Sequence, residues 1–225
     1  MSQDDTTAPH RFAEAERTSD PERIRALAHP LRLALLDYLE DVGEATATQC
    51  AKHTGESVAN CSFHLRLLAR YGFIEPGEPR GRERPWRPSA DRTQFVPDES
   101  VPGSVRAVVE LAEVTVRQEA DGFVRYLRER AERADELAGT PLPTSMTKDT
   151  FWATPQETEQ LLDAVGALLM PFVARTRDAA SRPAGALLMR WFATTHPDLH
   201  VDPAPGPEAP DDAPHPSSPI ASEEA

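Results

Sequence analysis

The sequence predicts a mainly α-helical fold carrying one small β-hairpin. Apolar residues recur at helical spacing from about residue 20 to residue 71, and a short segment rich in Pro, Gly and Arg between aromatic residues follows them. Beyond residue 100 comes a long charged stretch with a single apolar stripe, and then a smaller mixed region.

The first helix is signalled by SDPERIRALAHP, with Ser19 or Asp20 as cap, Pro21 at the first helical position, and Ile24, Leu27 and Ala28 on one face. Pro30 opens a second helix in which Leu31, Leu35, Tyr38 and Leu39 recur, with Leu33 and Leu36 widening the stripe, ending near Gly43. The run from Ala45 to Gly72 then divides into two helical stretches, parted by Gly55 and a Ser57 cap. This is the pattern of a helix-turn-helix, in which a tight turn uses glycine where a positive φ is needed. The first stretch turns Cys50 and Ala51 inward, and the second buries Val58, Cys61, Leu65 and Leu68. Ala59, Asn60, Ser62, Phe63 and Arg66 remain outward, side chains suited to base edges and phosphates.

After Tyr71-Gly72, Phe73-Ile74 and Trp86 predict short strands on either side of a tip that carries Arg80, Arg82 and Arg84, a wing able to reach phosphates or a minor groove. From about 100 to 137 one long helix is expected, its stripe formed by Val105, Val108, Ala112, Thr115, Val116, Phe123, Tyr126 and Leu127. On an isolated chain that stripe would face water, so the helix is assigned to dimerisation. Residues 144–200 are read as a small α+β region: a short strand at Phe151-Trp152, a capped helix from Thr154 to about Ala180 that Pro171 kinks or stops early, and a strand, in preference to a helix, over Leu187–Phe192. The ends, residues 1–19 and 201–225, are read as a flexible arm and a disordered acidic tail. The tail holds seven prolines and six acids with no Lys or Arg.

The net charge of −13 does not favour a nucleic-acid partner, yet its distribution does. Residues 20–92 are neutral overall, and within them 57–92 carry seven arginines against four acids. The sequence shows no Gly-rich phosphate loop, nucleophile elbow or HExxH, so no enzyme is expected. Cys50 and Cys61 stand where the helical pattern wants core residues, and His196 and His200 flank Asp198 in only a loose metal-like spacing, so neither a metal site nor a cofactor is expected. There is no run of 18 apolar residues and the MSQDDTTAPHRF terminus is too polar for a signal peptide. A cytoplasmic, nucleoid-associated location away from membranes is the expectation.

Three pieces taken together, RIRALAHPLRLALLDYL, ATATQCAKHTGESVANCSFHLRLLARYGFIE and GRERPWR, resemble the ArsR-type winged helix-turn-helix regulators of bacteria, over about a third of the chain. The resemblance implies a homodimeric repressor of duplex DNA, with Ser57–Tyr71 as recognition helix and Arg80–Arg87 as wing. Residues assigned to DNA are Ser57, Ala59, Asn60, Ser62, Phe63, His64, Arg66, Arg70, Arg80, Arg82, Arg84 and Arg87, although His64 suits helix packing equally well. Metal-sensing members often carry a Cys-x-Cys motif where Thr48, Gln49 and Cys50 stand, and residues 101–137 lack histidine, so a metal effector is not expected; the resemblance leaves room for a small-molecule effector. A winged protein-interaction module without specific DNA binding is the alternative.

Overall fold

The computed structural model describes residues 16–79, 81, 83–89 and 93–204. The chain divides into two compact units, residues 1–189 and 190–225. In the second, the described residues 190–204 form no helix or strand.

In the first unit, strand β1 (Glu16–Thr18) leads into helix α1 (Pro21–Leu27), whose amino end is closed by the Asp20 carboxylate accepting the Glu22 N–H at 2.9 Å. Helix α2 (Pro30–Val42) is capped by an imidazole: His29 Nδ1 accepts the Leu31 N–H at 3.1 Å. Helix α3 (Ala47–Thr54) starts on a reciprocal box in which Thr46 Oγ1 accepts the Gln49 N–H and Gln49 accepts the Thr46 N–H. Ser57 Oγ caps helix α4 (Val58–Arg70) through the Asn60 N–H at 3.1 Å.

Between α3 and α4, Gly55 adopts φ +74° and donates to the Ala51 carbonyl. No atom stands within 4 Å of where a Cβ would lie, so the residue is glycine for its backbone and not for space. Gly55→Ala should therefore cost about 1–2 kcal/mol, the left-handed penalty of an L-residue. Denaturant melts would check it, and an unchanged midpoint would mean that the turn relaxes freely.

Strands β2 (Ile74–Pro76) and β3 (Trp86–Pro88) pair antiparallel, Ile74 opposite Pro88 and Pro76 opposite Trp86. Ala45 extends this ladder through two hydrogen bonds with Trp86, so the hairpin is fixed to the segment that enters α3. Strand β4 (Thr93–Phe95) runs parallel to β1, where Arg23 bridges the two by pairing with Glu16 at 2.6 Å and donating to Thr93. Residues 16–18 of the expected flexible arm are thus ordered. Their partner lies some 77 positions away, which no local pattern reveals.

The core is built from Ile24 and Leu27 of α1, Leu35 and Leu39 of α2, Cys50 of α3, Cys61, Leu65 and Leu68 of α4, and Phe73 and Ile74. Helix α5 (Ser104–Glu132) closes it with Ala107 and Leu111, packing chiefly on α1, and the Arg25–Glu110 pair at 3.1 Å and Gln118–Asp37 hydrogen bond fix its lie. Of the stripe expected to face water, Val105, Ala112, Val116 and Leu127 are exposed, while Val108 is half-buried against the core and Thr115, Phe123 and Tyr126 are half-buried.

Helix α6 (Pro155–Arg177) begins on a Thr154–Glu157 capping box and leaves Leu161, Leu162, Leu168 and Phe172 exposed. Pro171 neither stops it nor shortens it below Arg177, because a proline removes one N–H while the ladder resumes beyond it, as Asp178 N–H to Ala174 O shows. A 3₁₀ turn (Ala179–Ser181) follows. The strands expected at Phe151-Trp152 and Leu187–Phe192 do not form. The described residues from 138 to 204 hold helix and turn but no strand, so that region is not α+β. Alternating apolar residues make a strand only beside another strand that accepts their hydrogen bonds, and none lies there.

Candidate nucleic-acid interface

Helix α4 has a buried side, held by Cys61, Leu65 and Leu68, and an outward side on which Val58, Ala59, Phe63, Arg66 and Arg70 are exposed. Phe63 is 57 % exposed, a large aromatic surface facing water from the middle of a packed helix. Ser57 spends its hydroxyl on the cap, and Ser62 is half-buried. Asn60, also half-buried, donates from Nδ2 to Glu56 Oε2 at 2.9 Å. Arg70 lies over the Tyr71 ring at 6.0 Å, which orients its guanidinium at the carboxyl end of the helix.

Two expectations for this helix are corrected. Val58, expected in the core, is 46 % exposed because the first turn of α4 overhangs the edge of the packed region. His64, assigned to DNA, is 8 % exposed and turned inward, its ring 4.7 Å from that of His29 and edge-on to Phe63. The i, i+3, i+4 and i+7 spacing of Cys61, His64, Leu65 and Leu68 is the signal that places it there.

On the hairpin, Arg84 donates to the Gly77 carbonyl at 3.4 Å and Arg87 pairs with Glu75 across the strands at 2.9 Å, both guanidinium groups remaining exposed. Arg80 and Arg82 lie outside the described residues. Glu83, at the base of this tip, accepts from the Thr48 hydroxyl at 3.1 Å. That bond links the hairpin to the first turn of α3, so α3, α4 and the hairpin are held as one body. Lys52, exposed on α3, was not among the assigned residues. It is the single lysine of residues 16–89, and the first helix of a helix-turn-helix commonly crosses a phosphate backbone, so helix position rather than charge density was the available signal.

Cys50 and Cys61 are fully buried, and burial, with Cys61 adding to it, pushes the Cys50 thiol up to about 11, which leaves it a protonated core residue. Among the described residues no three His, Cys, Asp or Glu side chains converge to hold a metal, and no helix is long and apolar enough to cross a membrane.

Residues 27–76, which run from the end of α1 to β2, match the helix-turn-helix domain family. Over 51 residues the chain is 41 % identical to the "Probable mercury resistance operon repressor" of Streptomyces lividans, an alignment covering 23 % of this chain and 40 % of that protein. The chain thus spans less than half the length of this curated relative. The geometry of α3, Gly55 and α4 agrees with the family match, and the chain carries a helix-turn-helix domain at residues 27–76.

Proposed function

We propose that this protein is a transcriptional repressor that binds an inverted-repeat operator as a homodimer, through a winged helix-turn-helix of the ArsR type. The observation that carries the reading is the outward side of α4, where Asn60, Phe63, Arg66 and Arg70 stand exposed or half-exposed, within a helix-turn-helix domain similar to part of a repressor. In this reading α4 enters the major groove, where Asn60 and Phe63 meet base edges while Arg66 and Arg70 meet phosphates. Asn60 exchanges the Glu56 carboxylate for an adenine edge, which makes Glu56 a filter against sequences that offer no such partner. The hairpin serves as the wing, with Arg80, Arg82, Arg84 and Arg87 following the flanking backbone. Ser57, Ala59 and Ser62 lie along the groove wall.

Dimerisation is assigned to α5. Val105, Val109, Ala112 and Val116 form an apolar strip on the side turned away from α1, and the notch at the small Ala112 is of the kind that receives a knob from a facing helix. Two recognition helices then lie about one helical turn of DNA apart.

The test is to retain fragmented genomic DNA on the purified protein and sequence what stays bound. An inverted repeat supports the reading; uniform or absent retention moves the weight to a protein-interaction module, which the net charge of −13 favours. Arg66→Ala and Arg84→Ala should each weaken binding to all sequences and lower the slope of log affinity against log salt by roughly one. Slopes equal to the wild type would remove these arginines from the interface.

A further inference from the structure

One cluster of titratable groups lies behind the DNA-facing side and takes no part in the reading above. His64 of α4 is buried against His29, the two ring centroids 4.7 Å apart and tilted by 35°. His29 stands at the junction of α1 and α2 and caps α2 through Nδ1. Arg32, in the first turn of α2, donates from Nη2 to the Arg25 carbonyl, while its Nε and the Nδ1 of His64 are both buried without a hydrogen-bond partner among the described residues. The acid that faces the pair is Glu56 from the turn between α3 and α4, and its carboxylate already accepts from Asn60.

We propose that His29 and His64 are positioning residues that seat α4 on the start of α2 only while both rings are neutral, so that protonation of the pair unseats the helix-turn-helix. Each ring has its own reason. His29 accepts at Nδ1, so its proton is on Nε2; an imidazolium carries N–H on both nitrogens and can no longer cap. Protonated His64 would bury an N–H at Nδ1, where no acceptor stands among the described residues, and would place a charge beside Arg32 and His29.

Burial, and after it the Arg32 charge, holds His29 below the usual imidazole range; burial, then His29 and Arg32, does the same for His64. Glu56 opposes the shift in both. A histidine whose folded value lies below its unfolded one contributes stability that is complete above about pH 6.5 and is lost as the pH falls through the folded value. The loss should therefore begin in the mildly acidic range. Its consequence for DNA, release from the operator in the same window, rests on the reading in the preceding subsection.

The experiment follows the ring resonances of both histidines in the full chain by NMR between about pH 8 and pH 5, with urea midpoints at about pH 7.5 and 5.5. Wild type, His64→Gln and His29→Asn are compared, asparagine keeping a cap acceptor that does not titrate. Both rings should titrate below a free histidine, and the wild-type folding constant should drop on the order of tenfold between the two pH values, with a smaller drop in each variant. Either ring titrating at or above the ordinary value, or a variant losing as much as the wild type, overturns the proposal. Should His64→Gln not fold, His29→Asn and the wild-type titration decide it. Operator binding measured at both pH values separates the two readings: a protein that binds no DNA at pH 7.5 ends the regulator reading and leaves the NMR and midpoint results to judge the pair.

Discussion

Val109→Glu combined with Val116→Glu should turn the proposed dimer into a monomer and weaken binding to its proposed operator on the order of a thousandfold. Both valines are about half-exposed, at 50 % and 46 %, on the side of α5 that does not touch α1, so the folded chain should keep its helix content. Against a second copy the change is severe. A two-fold axis would bring four carboxylates into one apolar strip, where each loses hydration and repels its neighbours. A monomer reads one half-site and forfeits much of the gap between specific and non-specific binding, which spans roughly 10³ to 10⁷. Sedimentation equilibrium and titration of an inverted-repeat fragment measure the two effects. A variant that stays dimeric would show that α5 is not the interface.

Leu65→Ala should cost about 3–4 kcal/mol, within the range for deleting a fully buried leucine in a core that cannot collapse around the cavity. Leu65 is 0 % exposed on the inner side of α4, among core residues contributed by α1 and α2. Against a total stability of about 5–15 kcal/mol the change lowers Tm by about 6–16 °C. The informative comparison is with Phe63→Ala, two residues earlier on the same helix. That aromatic is mostly in water, so its loss should leave the melting transition within about 0.5 kcal/mol of wild type. A calorimetric scan of both variants tests the division of α4 into a structural and an outward side; equal destabilisation would remove it.

That division could be read in the sequence because α1 to α4 are specified locally. Asp20, Thr46 and Ser57 cap their own helices, Gly55 closes its own turn, and Leu35, Leu39, Leu65 and Leu68 repeat at helical spacing, so period and punctuation agree. Where period was trusted past the edge of the core it erred, as at Val58. His64 shows the opposite error, since its spacing placed it inside while its chemistry suggested DNA.

Features that depend on distant partners were not legible. The pairing of Glu16–Thr18 with Thr93–Phe95 joins mostly polar segments far apart in the chain, and the burial of Ala107 and Leu111 depends on where α1 lies. The alternation over Leu187–Phe192 was a true pattern without a neighbouring strand to give it meaning. For the outward residues, the sequence supplied types and order, and the fold added the links between them: Asn60 held by Glu56, Glu83 by Thr48, Arg87 by Glu75.

Closure of the core by α1 and α5 separates two kinds of boundary. The stretch recognisable by likeness ends at residues 27 and 76, but Ile24, Ala107 and Leu111 complete the packing from outside it. A fragment cut at the limits of likeness would leave the inner faces of Leu35, Leu39, Leu65 and Leu68 open to water, with nothing to replace what α5 covers. The portable part of this protein and its smallest self-sufficient part are therefore different lengths of chain.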